Sequence, residues 1–420
     1  MNRKYISLKN FFLLFFSTSY VFGFLLRENI AGGAEDDFLN FTWPVIISFK
    51  QDFLYTIENY GSFGEGSFPL FHIINAYLNP FSFNQIYFQA SIAVISTLNV
   101  IVFSQIIEEK FKLKKIDAIL YSSIFLILPF FRSSAFWGIT ENFGWLFLLL
   151  SIKYYNLTNQ TNKNEDIKFI FLTCLFSSMA LYIRPYLIFF PIFVVIKSLI
   201  FKELRLLKFF VLFYLIFSIP GLQLIYVWEG IFKIGDDINL MQDYHNPKFV
   251  LKNLPIFFSL FLFYFLPFEL CQKFKSNKKD IIYFIIFFSI LLILNHLGYL
   301  DYLKSIELGG GIFLKLNNIL FKDNLFFFLA VSSLGIVKIL KYYSLGKKNT
   351  ILFICLLIFC FPKFILQEYL EPLFLIVLFT LIDLKKNQLE LFNQKNTIFT
   401  FCSYFSIYYI GSFLYRYFYI

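Results

Sequence analysis

Charged residues are scarce in this sequence. Asp, Glu, Lys and Arg make up 15% of the 420 residues, whereas hydrophobic residues make up 58%, and the mean hydropathy is +0.68. A water-soluble fold of this composition would leave too much apolar surface uncovered. No hydrophilic stretch is long enough to form a soluble domain, and no internal repeat is visible. We therefore expect one membrane-embedded domain over residues 1–420, built as an all-α, polytopic transmembrane helical bundle.

Cysteine and histidine are also few. The chain has five cysteines, whose spacing matches neither a metal site nor a disulfide framework, and three histidines. We expect the cysteines to be packing residues. His72 and His296 are isolated among apolar residues, where a histidine is more often packed and hydrogen-bonded than a ligand. The sequence thus indicates no cofactor with certainty, and the participation of a divalent cation stays open.

Thirteen apolar segments are candidate transmembrane helices. Several have only about 15 residues, short of the roughly 20 that cross a bilayer at right angles, so a count of roughly 11 to 15 fits the pattern. The segments are 8–26, 85–107, 116–131, 141–155, 168–183, 185–201, 206–228, 254–270, 281–300, 319–340, 350–366, 371–384 and 397–415.

The basic residues predict the orientation of the chain. If the basic start, with Arg3, Lys4 and Lys9, is cytoplasmic, the alternate loops place most of the 37 lysines and arginines on the cytoplasmic side. The basic pI then reflects topology and contact with anionic membrane lipid, and nucleic acid is not an expected partner. We predict a multi-pass integral membrane protein of a bacterial inner (plasma) membrane with a cytoplasmic N-terminus.

The longest predicted outer loop, residues 27–84, carries the stretch ENIAGGAEDDFLNFTWP. Three consecutive carboxylates, Glu35, Asp36 and Asp37, lie there after the first apolar segment, and we refer to them as the acidic triplet. Carboxylates beside a bilayer are costly unless they stay in water or serve a function. We therefore expect the active site on this loop, facing outward.

The loop and its flanks resemble the membrane-embedded glycosyltransferases of the C type. Members have a first span from the cytoplasm, an acidic pair early in the first outer loop, two interfacial helices, and a Pro-Leu step shortly before the second span. Here the matching features are segment 8–26, the acidic triplet, the mixed apolar and polar segments 38–57 and 68–78, and SFPLFHII at 67–74. The chain carries one proline, Pro69, where many members carry two. The resemblance implies transfer of a sugar from a polyprenyl-phosphate donor to a glycan, lipid or protein acceptor.

Such a transfer explains why the loop should be acidic. A carboxylate within hydrogen-bond reach can remove the acceptor proton as the oxygen attacks the anomeric carbon. Asp37 or Asp36 is the candidate base, because adjacent helical residues point about 100° apart and only one can face a cavity. Glu35 is assigned to substrate binding. The alternative is that the triplet only caps the helix that follows.

A lipid-phosphate leaving group needs cationic partners. Arginine matches phosphate in a bidentate way, which lysine cannot do. Arg184, in ALYIRPYLIFFP, is the preferred candidate, because it lies at a predicted outer turn and precedes a proline. The alternative role is a snorkelling anchor at a helix end. The arginines predicted on the outer side are Arg27, Arg132, Arg184 and Arg416, of which the first three are assigned to substrate binding.

Three weaker candidates remain. Asp236 and Asp237, followed by Asp243 and His245, could bind a metal or a sugar, although a solvated polar loop is the more frequent explanation of such a stretch. His72 is a substrate-binding candidate through its place in the Pro-Leu segment. The sequence FILQEYLEP at 364–372 resembles a late Tyr-x-x-Pro element of the C-type family, but it has Glu368 where Arg or His usually stands.

Two other function classes compete with a transferase. A polysaccharide polymerase or ligase of the O-antigen type also acts on lipid-linked sugars, but it normally has its main outer loop in the second half of the chain. A transporter or flippase would show charged or broken helices at mid-membrane and often a repeated half. The long first loop favours the transferase.

Overall fold

The computed structural model describes residues 3–63, 67–158, 165–230, 249–271, 277–305, 309–322, 324–342, 346–363, 365–384 and 392–418. These residues form helices joined by turns, and no β-strand occurs among them. The all-α class predicted from the sequence is therefore confirmed.

Among the described residues, seven helices are long and apolar enough to cross a membrane. Their apolar parts are Leu8–Leu25, Gln85–Phe111, Asp166–Ile183, Leu204–Val227, Val250–Cys271, Lys278–His296 and Lys395–Phe418. An eighth span would be formed if the bent pair Lys115–Ile127 and Pro129–Trp137 crosses as one unit. A multi-pass membrane protein is supported, whereas the predicted count of thirteen spans, or roughly 11 to 15, is not confirmed.

The difference in span number arises because several apolar segments are broken. In segment 116–131 a 3₁₀ turn, Ser123–Ile127, leads to Pro129, where the chain bends by 70°. Proline cannot donate a backbone hydrogen bond and is tolerated in the first turn of a new helix. Segment 319–340 is divided between two helices, Gly311–Phe321 and Phe326–Tyr342. Hydropathy alone does not locate such breaks.

The chain divides into two units. The first unit comprises Met1–Met241 and Phe405–Ile420. Its helices are α1 (Arg3–Leu25), α2 (Ala34–Asp37), α3 (Trp43–Gln51), α4 (Phe53–Glu58), α5 (Leu70–Tyr77), α6 (Gln85–Phe111), α7 (Lys115–Ser122), α8 (Pro129–Trp137), α9 (Glu141–Thr158), α10 (Glu165–Ile183), α11 (Phe189–Ile200) and α12 (Leu204–Val227). Helix α9 packs along α10, and α10 packs on α12.

The second unit comprises Gln242–Tyr404. Its helices are α13 (Val250–Cys271), α14 (Lys278–His296), α15 (Gly311–Phe321), α16 (Phe326–Tyr342), α17 (Lys347–Leu356) and α18 (Leu373–Ile376), and α19 (Lys395–Phe418) begins in this unit and ends in the first. Helix α13 packs on α16. The carboxylate of Glu269 is fully buried, and it accepts from Lys338 Nζ at 2.5 Å.

The first loop, residues 27–84, is folded rather than extended. Helices α2 and α3 are joined by a π-helical turn, Phe38–Thr42, and α4 and α5 follow. Proline lies near the start of two of these helices: Pro44 is in the first turn of α3, and Pro69 is the N-cap of α5. The segments 38–57 and 68–78 contain helices, as their sequence predicts. Pro44 follows the π-helical turn directly, inside a helical stretch that continues from Ala34 to Gln51.

Candidate functional site

The acidic triplet forms the first turn of a short helix. Gly32 and Gly33 precede it with φ of +72° and +69°, a left-handed conformation that favours glycine. Asp37 N donates to Gly33 O at 2.9 Å. The Asp36 and Asp37 side chains are exposed, and Glu35 is half-buried. Carboxylates in a first helical turn are favoured by the helix dipole, so the local geometry fits both a cap and a solvent-facing site.

A buried ion pair holds the start of the loop. The Arg132 guanidinium, which is 0% exposed, donates from Nε to Glu28 Oε1 at 2.7 Å and from Nη2 to Glu28 Oε2 at 2.6 Å. Further hydrogen bonds run to Leu126 O at 2.7 Å and Ser19 O at 2.8 Å. Tyr409 Oη lies 3.1 Å from both Nη2 and Glu28 Oε2. Arg132 is thus fully engaged inside the protein and orients Glu28.

Arg27, in contrast, is exposed at the end of α1. Its backbone has φ of +54°, and its guanidinium lies over the Trp137 ring, 5.3 Å from the centroid. The Trp137 indole Nε1 donates to Glu28 O at 3.1 Å, and Ala31 N donates to Ser133 Oγ at 3.2 Å. Helix α8 therefore fixes the chain on both sides of Glu28, shortly before the acidic triplet.

The end of the last helix also reaches this loop. Asn29 N donates to Tyr417 Oη at 3.3 Å. The Arg416 guanidinium lies close to Gly32, since its Cζ is 3.6 Å from the position that a Cβ would occupy there. Arg27, Arg132 and Arg416, which are far apart in the sequence, are therefore neighbours of one loop.

Arg184 lies away from the first-loop arginines just described, at the end of α10. Its guanidinium forms an ion pair with Glu141, the first residue of α9. Glu141 is largely buried, whereas the Arg184 side chain is 22% exposed. The position between α10 and the 3₁₀ turn Pro185–Ile188 agrees with the turn that the sequence predicts. Because Glu141 neutralises Arg184, a phosphate at this position would have to compete with the Glu141 carboxylate for the guanidinium, or share the guanidinium with it.

An apolar cleft of about 560 Å³ begins beside Arg184. It lies between α10, α11 and α12, and Phe68 of the first loop closes one side. The Tyr182 hydroxyl, on its wall, donates to Phe217 O at 2.5 Å and accepts from Gly221 N at 3.0 Å. The lining residues are Phe68, Ser178, Leu181, Tyr182, Pro185, Ile188, Pro191, Ile192, Val195, Ile196, Tyr214, Phe217, Ser218, Gly221, Leu222 and Ile225.

His72 is packed in an aromatic cluster. Its side chain is fully buried, and Nδ1 is 3.0 Å from the Tyr60 hydroxyl. The Tyr60 ring stacks on Trp228 with centroids 5.6 Å apart. Trp228 Nε1 donates to Ile57 O at 2.7 Å, which ties the first loop to the end of α12. This environment is typical of a structural histidine.

Lys50 is the lysine of α3. Its Nζ donates to Ser82 O at 2.5 Å, which ties α3 to the end of the loop. Loss of hydration lowers the pKa of Lys50 from its ordinary value. Lys50 is still exposed to solvent, which screens its charge from the acidic residues of the loop.

The structure thus separates the predicted site residues into groups. The acidic triplet, Arg27 and Arg132 belong to the loop and its support on α8. Of the segment at 67–74, Phe68 lines the apolar cleft, and Arg184, which precedes Pro185 of the lining, pairs with Glu141. None of the residues described in the cleft lining belongs to the acidic triplet. Asp236 and Asp237 lie outside the described residues. Within the described ranges, no three His, Cys, Asp or Glu side chains are grouped closely enough to hold a metal ion.

Sequence reasoning missed Glu28, Glu141 and Tyr409. A signal for the first two was present, because an acidic residue inside or beside an apolar segment needs a cationic partner. Two carboxylates and several arginines allow more than one pairing, however, and 104 residues separate Glu28 from Arg132. No sequence signal distinguished Tyr409 from the other tyrosines of the last helix.

Comparison of this chain with protein-family models, with curated proteins and with solved structures finds no match.

Proposed function

We propose that this protein is a membrane glycosyltransferase that takes a sugar from a polyprenyl-phosphate donor on the extracytoplasmic side. The proposal rests on the resemblance of its first loop to the C-type enzymes. The observation that best supports it is the exposure of Asp36 and Asp37 on a loop that a buried ion pair, Glu28 with Arg132, holds to the helices beneath. An exposed carboxylate on a fixed support suits a general base.

In the proposed reaction, the acceptor hydroxyl attacks the anomeric carbon of the sugar. Asp37 or Asp36 takes the hydroxyl proton as the new carbon–oxygen bond forms. The bond between the anomeric carbon and the phosphate oxygen breaks, and the polyprenyl phosphate leaves with the electron pair. Of the two carboxylates, Asp37 is the preferred base, and Asp36 is the alternative because the two point about 100° apart. Glu35 is assigned to sugar binding.

The apolar cleft supports a lipid-linked donor. Its volume of about 560 Å³ and its almost entirely apolar lining suit a hydrocarbon chain. Arg184 precedes Pro185 of the lining in sequence, and its guanidinium is paired with Glu141. Under this proposal the cleft holds part of the carrier, and the loop holds the sugar.

The test is a transfer assay with purified protein in nanodiscs and polyprenyl-phosphate-linked sugars. Asp37→Asn keeps size and hydrogen-bonding shape but cannot take the proton, so turnover should fall by roughly 100-fold or more. Glu58→Gln, at an exposed residue of the same loop, is the matched control and should keep wild-type turnover. If only Asp36→Asn is inactive, Asp36 is the base. Wild-type turnover in both aspartate variants would show that neither carboxylate is the base and that the acidic triplet only caps its helix.

A further inference from the structure

The cation nearest to Gly32 comes from the far end of the chain. Arg416 is on the last turn of α19. A Cβ built on Gly32 would lie 3.6 Å from both Cζ and Nη1 of Arg416 and 3.7 Å from Nη2. The three distances are nearly equal, so Gly32 lies against the face of the guanidinium plane, and the in-plane N–H donors point away from the glycine. Gly32 is two residues before the helix that carries the acidic triplet.

Two tyrosines fix this end of α19 against the loop. Tyr409 Oη donates to Glu28 Oε2 at 3.1 Å and accepts from Arg132 Nη2 at 3.1 Å. Two turns further on, Tyr417 Oη accepts from Asn29 N at 3.3 Å. Arg416 is next to the second of these anchors, so its backbone position is set by contacts to the loop itself.

The positive charge of Arg416 is available to an anionic ligand. Within the part of the chain that the structure describes, its guanidinium forms no salt bridge, although the acidic triplet follows Gly32 closely. Its side chain is half-buried, which weakens screening by water. Arg27, exposed and five residues before Gly32, adds a second cation. Arg132, by contrast, is fully engaged with Glu28.

We propose that Arg416 binds the phosphate of the substrate beside the acidic triplet. The guanidinium fork matches two phosphate oxygens, and its contact with Gly32 holds it two residues from the helix that carries the acidic triplet. This inference rests on the proposed function: the phosphate that Arg416 holds is the leaving group, whose negative charge develops as the bond to the anomeric carbon breaks. Arg416 thereby supplies the loop with the cation that Arg132 cannot provide.

The test compares binding of polyprenyl phosphate with binding of the matching polyprenol to full-length protein in nanodiscs. Arg416→Gln should weaken polyprenyl-phosphate affinity by roughly 10-fold or more, because the charge-assisted hydrogen bonds to the phosphate are lost. Arg416→Lys should lose only part of the affinity, since lysine keeps the charge without the bidentate fork. Affinity for polyprenol, which lacks the phosphate, should not change. Arg205→Gln, at an exposed residue near the start of α12, is the matched control and should leave both affinities unchanged.

Each outcome bears on the proposal. Unchanged phosphate affinity in Arg416→Gln would overturn the role of Arg416 while leaving the transferase intact, provided that wild-type protein transfers sugar. Arg416-dependent binding without any transfer would support Arg416 and overturn the transferase. If excess phosphatidylglycerol displaces polyprenyl phosphate equally well, Arg416 binds any lipid phosphate, which would overturn its role toward the donor. Absence of polyprenyl-phosphate binding to wild-type protein would overturn both.

Discussion

The guanidinium of Arg132 is the most constrained polar group of the described site. It has no exposed surface, and its hydrogen bonds reach α1, Glu28 and Tyr409. It is also enclosed by aromatic rings, with the centroids of Tyr409 at 4.6 Å and Phe136 at 5.1 Å. Burying a charge is tolerated when it is paired and its donors are satisfied. Arg132 is therefore buried inside the protein, where it pairs with Glu28 at the start of the loop.

Glu28→Gln should destabilise the protein, because it leaves the Arg132 charge buried without its counter-ion. Removing one partner of a buried pair costs about 3 kcal/mol or more. We expect a fall of several degrees in the apparent melting temperature in detergent, measured by intrinsic fluorescence. Glu58→Gln makes the same chemical change at an exposed site and should leave melting unchanged. Equal melting of the two variants would show that the pair contributes little.

Helix α1 has a glycine, Gly23, where it contacts this ion pair. Gly23 faces Arg132, and a Cβ there would overlap Arg132 Nη2 and lie only 2.7 Å from Glu28 Oε2 and 2.9 Å from Phe136. The absence of a side chain at Gly23 thus lets α8 bring its arginine against α1. Helices α1 and α8 are in contact along this stretch.

Gly23→Ala should weaken the packing of α1 on α8, although alanine is the better helix former by about 1 kcal/mol. Gly411→Ala, in α19, is the matched control, since a Cβ there meets nothing within 4 Å. We expect Gly23→Ala to lower the melting temperature and Gly411→Ala to leave it unchanged or slightly raised. A Gly23→Ala protein as stable as wild type would mean that Arg132 and Phe136 can move aside without loss.

At the scale of the whole chain, the orientation in the membrane is a prediction that can be measured. Ser62, Lys112 and Lys278 are all exposed, so single cysteines at these positions can report sidedness. The charge distribution predicts labelling of residue 62 from outside and of residues 112 and 278 only from the cytoplasm. Four of the five native cysteines are buried, and the fifth is Cys271, so a Cys271→Ser protein should show little background labelling. Cytoplasmic labelling at residue 62 would put the acidic loop on the wrong side for the proposed reaction.

Composition and local sequence patterns predict the class of protein and the presence of helices in the first loop. Scarce charge and long apolar segments required helices in a membrane, because only an internally hydrogen-bonded backbone is stable there. The mixed apolar and polar segments 38–57 and 68–78 predicted that the first loop contains helices. These properties depend on composition and on neighbours in sequence, so they could be predicted. The exact number of spans could not, because a break such as that before Pro129 depends on packing.

Which charged side chains pair with one another depends on tertiary packing. Glu28 and Arg132 are 104 residues apart, and Asn29 and Tyr417 are 388 residues apart. Hydropathy and periodicity describe one helix face at a time, whereas an ion pair depends on which faces of distant helices pack together. That is why Arg132, predicted to bind substrate, is buried beneath the loop, and why Arg416, with no local motif around it, lies beside Gly32.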